Sequence, residues 1–299
     1  MTGTAGVTGD PKETVLRSAT KEVVIGHGRR FCVIGERINP TGRRIFQEQL
    51  RAGDLSAIER DVAAQVEGGA DVLDVNMGVP LTDEPDLLAR AITLVQSLTD
   101  LPICIDSSVV EALEAGLAAY RGKALVNSVT CEEERMDRVL PLVKEHGAAI
   151  ICLLNDETGI PQTADERLEV CKRIVDAVHG RWEIPLEDIV VDPLAMTVGA
   201  DPAAVVTTLE TIHLVKSEFG LNMTLGASNV SFGLPGRHAL GAAFLALASH
   251  AGLTSAIMDA RNRLTVDACR AADLLLARDE WAMNWIAAHR QAQAEAARA

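Results

Sequence analysis

A (β/α)8 TIM barrel is the fold that the sequence predicts, and three observations predict it. Eight short, mainly apolar and β-branched-rich runs alternate with eight longer segments whose apolar residues recur at i, i+3 and i+4. The alternation occupies residues 31–277, close to the ~250 residues typical of such a barrel. Polar residues, moreover, gather at the same end of every apolar run. A doubly wound open sheet is the weaker alternative, because it usually has fewer strands.

The domain plan follows from where this rhythm starts and stops. Residues 1–28 are polar and weakly patterned, and read as an N-terminal arm, either mobile or folded as a short cap over the barrel bottom. Residues 29–279 form the barrel. Residues 280–299 form a C-terminal helix that frays into Ala-rich sequence, with Trp281 and Trp285 four apart as an apolar stripe read as core, or else as a contact to a second subunit.

The first strand is FCVIGE (31–36), followed by the helix DLSAIERDVAAQVEGG (54–69), with Asp54 as its N-cap and Gly68 and Gly69 as its end. ADVLDVNM (70–77), LPICIDS (101–107), KALVNS (123–128) and AAIICLLND (148–156) are strands two to five. DIVVDP (188–193) is the sixth strand, Met223–Ala227 within LNMTLGASNVS the seventh, and SAIMD (255–259) the eighth, before a helix from about 266 to 277. Runs of four to six apolar residues suit parallel strands buried on both faces. Ile58, Val62 and Val66, or Leu168, Cys171, Ile174 and Val175, show the one-sided helical spacing between them.

Composition excludes several classes of function. The chain has 299 residues, 48% of them hydrophobic, enough for a sizeable core. Its 28 Lys and Arg against 42 Asp and Glu give a net charge of −14, which argues against a nucleic-acid partner. No apolar run approaches the ~20 residues of a membrane helix and MTGTAGVTGDPKE lacks a signal-peptide layout, so no membrane association and a cytoplasmic location are expected. The six cysteines lack any C-x2-C pair and read as reduced core residues.

In a barrel of this type the catalytic groups lie at the C-terminal ends of the strands. Here those ends carry Glu36, Arg37 and Asn39; Asp74 and Asn76; Asp106 and Ser107; Asn127; Asn155 and Asp156; Asp192; Ser228, Asn229 and Ser231; and Asp259. Singly, an Asp or Asn after a strand usually caps a helix or closes a turn. Acid or amide at every one of the eight ends is more than capping requires. There is no His/Cys metal cluster, no P-loop and no G-x-S-x-G elbow, so no metal site is expected and the ligand should present hydrogen-bond donors. A pterin does so through its 2-amino group and N3–H, which a carboxylate takes in two parallel bonds. Asp106, Asn127 and Asp192 have the matching chemistry.

Six motifs in order, GERINPTG (35–42), GGADVLDVNMG (68–78), CIDSS (104–108), LVNSV (125–129), VVDPL (190–194) and GASNVSFGLPGR (226–237), resemble those of the pterin-binding methyltransferase family. The resemblance covers residues 31–260. It is to the methyltetrahydrofolate:corrinoid protein methyltransferases and the folate domain of cobalamin-dependent methionine synthase. It implies a barrel, usually a homodimer, that holds tetrahydrofolate or 5-methyltetrahydrofolate as substrate while cobalamin arrives on a separate corrinoid protein. By motif position Asp106, Asn127 and Asp192 resemble the pterin-edge ligands, Asn229 the residue that meets N5, and Glu36, Asn39, Asp74, Asn76 and Ser228 other residues of the pocket. Asn229 and Asp74 are the expected catalytic pair, with the N5 proton coming through water held by Asp74 or Asn76.

Departures narrow the choice. Dihydropteroate synthase shares the pocket, but its family carries a lysine near strand seven and a late S-R-K-S-type anion site; here those regions read LGASNVS and SAIMDARNR, and Asp259, Arg261 and Arg263 do not match. A synthase-like pterin enzyme and a non-catalytic folate-binding subunit are the alternatives. The chain has no D-x-H-x-x-G cobalamin motif, so the corrinoid is expected on a partner, docking over the FGLPGR lip near Arg237 and His238. The direction of methyl transfer is not written in the sequence.

Overall fold

The computed structural model describes residues 9–296. Two antiparallel strands come first, β1 (Glu13–Arg17) and β2 (Glu22–Gly26). Eight parallel strands then follow: β3 (Cys32–Ile38), β4 (Val72–Asn76), β5 (Ile103–Asp106), β6 (Leu125–Cys131), β7 (Ala149–Asp156), β8 (Ile189–Asp192), β9 (Asn222–Met223) and β10 (Ser255–Met258). Their order is sequential, with β10 beside β3. A bridge between Gly226 and Ile257, with Ile257 N donating to Leu225 O at 2.9 Å, closes the ring between β9 and β10. The expected (β/α)8 barrel is therefore the fold.

Helices α1 (Arg44–Arg51), α2 (Ser56–Gly68), α3 (Glu84–Leu98), α4 (Val110–Ala119) and α5 (Glu133–His146) pack outside the strands. So do α6 (Ala164–Val175), α7 (Ala204–Phe219), α8 (Arg237–Ala251) and α9 (Arg263–Leu275), and α10 (Met283–Ala296) ends the described chain. Helix α6 opens on a capping box, in which Thr163 Oγ1 accepts from Glu166 N and Glu166 reaches back to the Thr163 N–H. Helices α2, α5 and α7 stop where Gly69, Gly147 and Gly220 take left-handed φ values. At Gly220 a Cβ would stand 2.2 Å from Asp10 O, so glycine is required there by contact as well as by φ.

Two apolar cores result. One fills the space between strands and helices, with Leu73, Val75, Ile103, Ile105 and Val126 fully or nearly fully buried. The other fills the lower lumen, where Cys32, Ile34, Val72, Cys104, Leu125 and Val190 meet Leu16 and Ile25 of the β1–β2 hairpin. The hairpin thus plugs the barrel bottom with two side chains that are 0% exposed. It lies where the sequence allowed either a mobile arm or a cap; residues 1–8 lie outside the described part. Because side chains alternate along a strand, the residues two positions above the lower layer also face the lumen. These are Glu36, Asp74, Asp106, Asn127 and Asp192, with Asn76 two positions further along β4 on the same face.

Several elements differ from their sequence expectation. The seventh strand is only Asn222–Met223 rather than Met223–Ala227; residues Ala227–Ser231 instead coil into a 3-10 turn. Small residues and an Asn cannot sustain a ladder where the backbone must turn around the mouth. Helix α2 starts at Ser56, so Asp54 is not its N-cap; its Oδ1 accepts from Ser56 N at 2.9 Å and holds the preceding turn. Helix α1 was not anticipated, and α9 runs earlier than 266–277. Trp281 and Trp285 are not core: they are 89% and 37% exposed. All six cysteines are free and buried, as expected.

Candidate active site at the barrel mouth

Asp106, Asn127 and Asp192, which the sequence puts at the ends of the third, fourth and sixth barrel strands, end β5, β6 and β8 at the barrel mouth. Asp106 and Asn127 stand opposite each other in register on β5 and β6, and Asp192 ends β8, paired with Leu153 of β7. Each is oriented by a neighbour through one atom only. Asp106 Oδ2 accepts from Asn76 Nδ2 at 3.0 Å, Asp192 Oδ1 from Leu194 N at 2.8 Å, and Asn127 Nδ2 reaches Asp74 Oδ1 at 3.4 Å. Among the described residues nothing donates to Asp106 Oδ1, Asp192 Oδ2 or Asn127 Oδ1. Three acceptors at the strand ends are therefore left without a protein donor and stay open to the donors of a ligand.

Burial sets their charge. It pushes the Asp106 carboxyl up to about 6, against the bond from Asn76, and the Asp192 carboxyl up to about 7, against Leu194 N and the charge of Arg167. Asp74 lies deeper, 1% exposed, beside Cys104 in register. Burial first, and then the charge of Asp106, drives its carboxyl well above the ordinary range. A protonated Asp74 under an ionisable Asp106 relieves the repulsion that two carboxylates in one dry layer would suffer.

The other expected residues have visible local work. Asn76 is a strut: Nδ2 holds Asp106 and Oδ1 accepts from Gly78 N at 2.8 Å. Asn39 Oδ1 accepts from Thr41 N at 2.9 Å and forms the turn after β3. Ser228 Oγ donates to Glu36 at 3.0 and 3.2 Å, tying the seventh-strand turn to the first strand, and burial raises the Glu36 pKa. Asn229 sits exposed on the 3-10 turn, its side chain directly over Gly226. A Cβ on Gly226 would come within 3.0 Å of Asn229 Nδ2, so the glycine exists to admit that amide.

Some strand ends do only what capping and pairing ask of them. Asp156 is held by Thr158 and Arg173, which lower its pKa to about 2; Asp259 is matched two-pronged by Arg261 at 2.9 and 2.8 Å; Ser107 Oγ accepts from Val109 N and caps the turn into α4. One contributor was missed. Gln65, 0% exposed, accepts from Arg37 N through Oε1 at 2.9 Å and fixes the loop that carries Glu36 and Asn39. Its signal was available: it is a polar residue on the apolar stripe of α2 that includes Ile58 and Val62.

No group of three or more His, Cys, Asp or Glu among the described residues is arranged to hold a metal ion. Nor is any helix long and apolar enough to cross a membrane.

An eight-stranded parallel barrel with polar side chains at its strand ends belongs to the class of barrels whose ligand sites lie at that mouth. Comparison with known proteins makes the class specific: the family model of pterin binding enzymes matches residues 35–259, and the chain belongs to that family. It is 34% identical over 248 residues to methionine synthase of Mycobacterium tuberculosis, covering 79% of this chain and 21% of that protein. It is 31% identical to methionine synthase of Mycobacterium leprae, covering 89% of this chain and 23% of that protein. The chain thus spans less than a quarter of the length of these two relatives. It is also 30% identical to a methylcorrinoid:tetrahydrofolate methyltransferase of Eubacterium limosum, with 87% of this chain and 97% of that protein aligned. Among solved structures, dihydropteroate synthase from Xanthomonas albilineans in complex with 7,8-dihydropteroate matches with a TM-score of 0.66 at 21% identity, covering 88% of this chain and 98% of the other. That likeness concerns the fold.

Proposed function

We propose that the protein moves a methyl group between N5 of (methyl)tetrahydrofolate and the cobalt of a cobalamin carried by a separate corrinoid protein. The observation that carries the reading is the unbonded trio of Asp106, Asn127 and Asp192, which complements the donor edge of a pterin. Family membership and the near full-length alignment with a methylcorrinoid:tetrahydrofolate methyltransferase support it.

Asp106 and Asp192, when ionised, accept from the 2-amino group, N3–H and the other ring N–H groups, and Asn127 completes the set. This fixes the ring and leaves N5 on the side of the seventh-strand turn. A methyl on a tertiary amine leaves only if charge on that nitrogen is relieved as the bond breaks. Asn229 supplies a mobile amide there, able to donate to N5 or to accept from its proton, and Asp74 and Asn76 bound the water that delivers that proton. A cobalamin carried by the partner would supply the nucleophilic or methyl-bearing cobalt. Leu81, fully exposed, and Phe232, 68% exposed, offer apolar contacts to whatever covers the mouth. As the sequence resemblance implies, we take the working unit to be a homodimer; sedimentation at several concentrations checks it.

The reading is tested by methyl transfer from methyltetrahydrofolate to added cob(I)alamin, followed optically. Asn229→Ala is expected to lower kcat about 100-fold or more with little change in KM, the size seen when one transition-state donor is removed. An unchanged rate in both Asn229→Ala and Asp74→Asn at saturating folate would falsify the catalytic assignment. Turnover of dihydropterin pyrophosphate with 4-aminobenzoate would replace it with synthase chemistry.

A further inference from the structure

Between the ends of β3 and β10 and the first turns of α8 and α9 lies a cavity of about 210 Å3. Arg37, Arg237 and His238 line it together with Glu36, Ser228 and Asp259. Arg37 is half-buried; its Nε is shut off from solvent and has no hydrogen-bond partner, and its guanidinium makes no ion pair among the described residues. Neighbouring cations are matched: Arg43 pairs with Asp61 at 2.7 Å and Arg261 with Asp259. The carboxylates on the wall are also engaged, Asp259 by Arg261 and Glu36 by Ser228.

What remains is the guanidinium of Arg37, without an ion pair in a partly dry recess, beside Arg237, which donates to Ser228 O and lies over Phe232, and His238, which meets Asn262. Burial, and then the charges of Arg261 and Arg43, lower the pKa of that guanidinium, with Asp259 and Asp61 offsetting only part of the cost, and a carboxylate is the geometry its planar fork accepts best. The first turn of α8 adds backbone N–H groups on the same wall, since Gly236 precedes it with no side-chain cap.

We infer that this cavity is an anion subsite in which Arg37, seconded by Arg237 and His238, binds a carboxylate, and that the carboxylate belongs to the acidic tail of the folate substrate. The inference rests on the pterin reading above. In a folate the tail springs from C6, the carbon bonded to N5. A ring whose N5 meets Asn229 therefore sends its tail past Ser228, which lines both the mouth and this recess.

Calorimetric titration of the wild type and R37Q with tetrahydrofolate and with tail-less 6-methyltetrahydropterin tests it. The backbone of Arg37 is held through its N–H by Gln65 and through its carbonyl by Arg43, so R37Q alters the head group without freeing the loop. R37Q is expected to bind tetrahydrofolate about 10- to 100-fold more weakly, as for loss of a charged hydrogen bond, and 6-methyltetrahydropterin unchanged. R37K is expected to recover part of the difference. Inorganic phosphate should compete with tetrahydrofolate in the wild type and not with 6-methyltetrahydropterin. Equal losses for both ligands, or none, overturn the subsite. Phosphate that binds alongside tetrahydrofolate without weakening it assigns the recess to a free anion and overturns the tail. Failure of the wild type to bind 6-methyltetrahydropterin overturns the pterin reading, and the subsite with it.

Discussion

On the proposed function, Asp192 serves binding at the expense of stability. Its carboxyl is lifted from 3.8 to about 7 by burial, so between those values the folded chain holds a proton that the unfolded chain has released. Folding stability at this site is therefore largest at acidic pH and falls as pH rises through that window, about 1.4 kcal/mol for each unit of difference. Asp192→Asn is expected to flatten the fall, seen as a higher melting temperature than wild type at pH 8. The same substitution removes an acceptor from the pterin edge, so tetrahydrofolate affinity should drop even as the protein becomes more stable. In the wild type the affinity should weaken below about pH 7, as the carboxylate that must accept becomes protonated. A variant that melts lower at pH 8 would contradict the burial argument.

At the scale of elements, the barrel depends on a part outside its own repeat. The β1–β2 hairpin contributes Leu16 and Ile25 to the floor of the lumen, and its edge is tied down by Asn222 Nδ2, which donates to Ile25 O at 3.0 Å and Thr14 Oγ1 at 2.9 Å. Leu16→Ala is expected to cost roughly 2–5 kcal/mol, the range for emptying a buried leucine site, measured by chemical denaturation. A cost below about 1 kcal/mol would mean that the floor closes without the hairpin. The eight strand–helix units were legible because each carries its own periodicity. The seventh strand and α1 were not. Strand and turn in LNMTLGASNVS share the same small and polar residues, and only the bridge from Gly226 to Ile257 decides where the ladder ends. Trp281 and Trp285 were misread because a spacing of four says that two side chains share a face, not what the face meets.

Over the whole molecule, the net charge of −14 is expected to act on association rather than on chemistry. Raising the salt concentration should slow methyl exchange with a corrinoid protein and leave exchange with free cobalamin nearly unchanged, since only the former brings two extended charge distributions together. Equal sensitivity of both rates would place the salt effect in the pocket. The sequence alone determined the barrel, the face that carries the polar residues, and the family, because apolar periodicity and residue order along the chain are local properties. Only the tertiary structure decided which strand ends keep acceptors free of local bonds. Asp106, Asn127 and Asp192 are left with unbonded acceptors, whereas Asp156, Asp259 and Ser107 are spent on local turns, pairs and caps. Only the structure, too, exposed Arg37 as a cation whose Nε is unbonded and which makes no ion pair among the described residues. Whether a polar atom is satisfied depends on neighbours far away in the chain, and no local pattern records them.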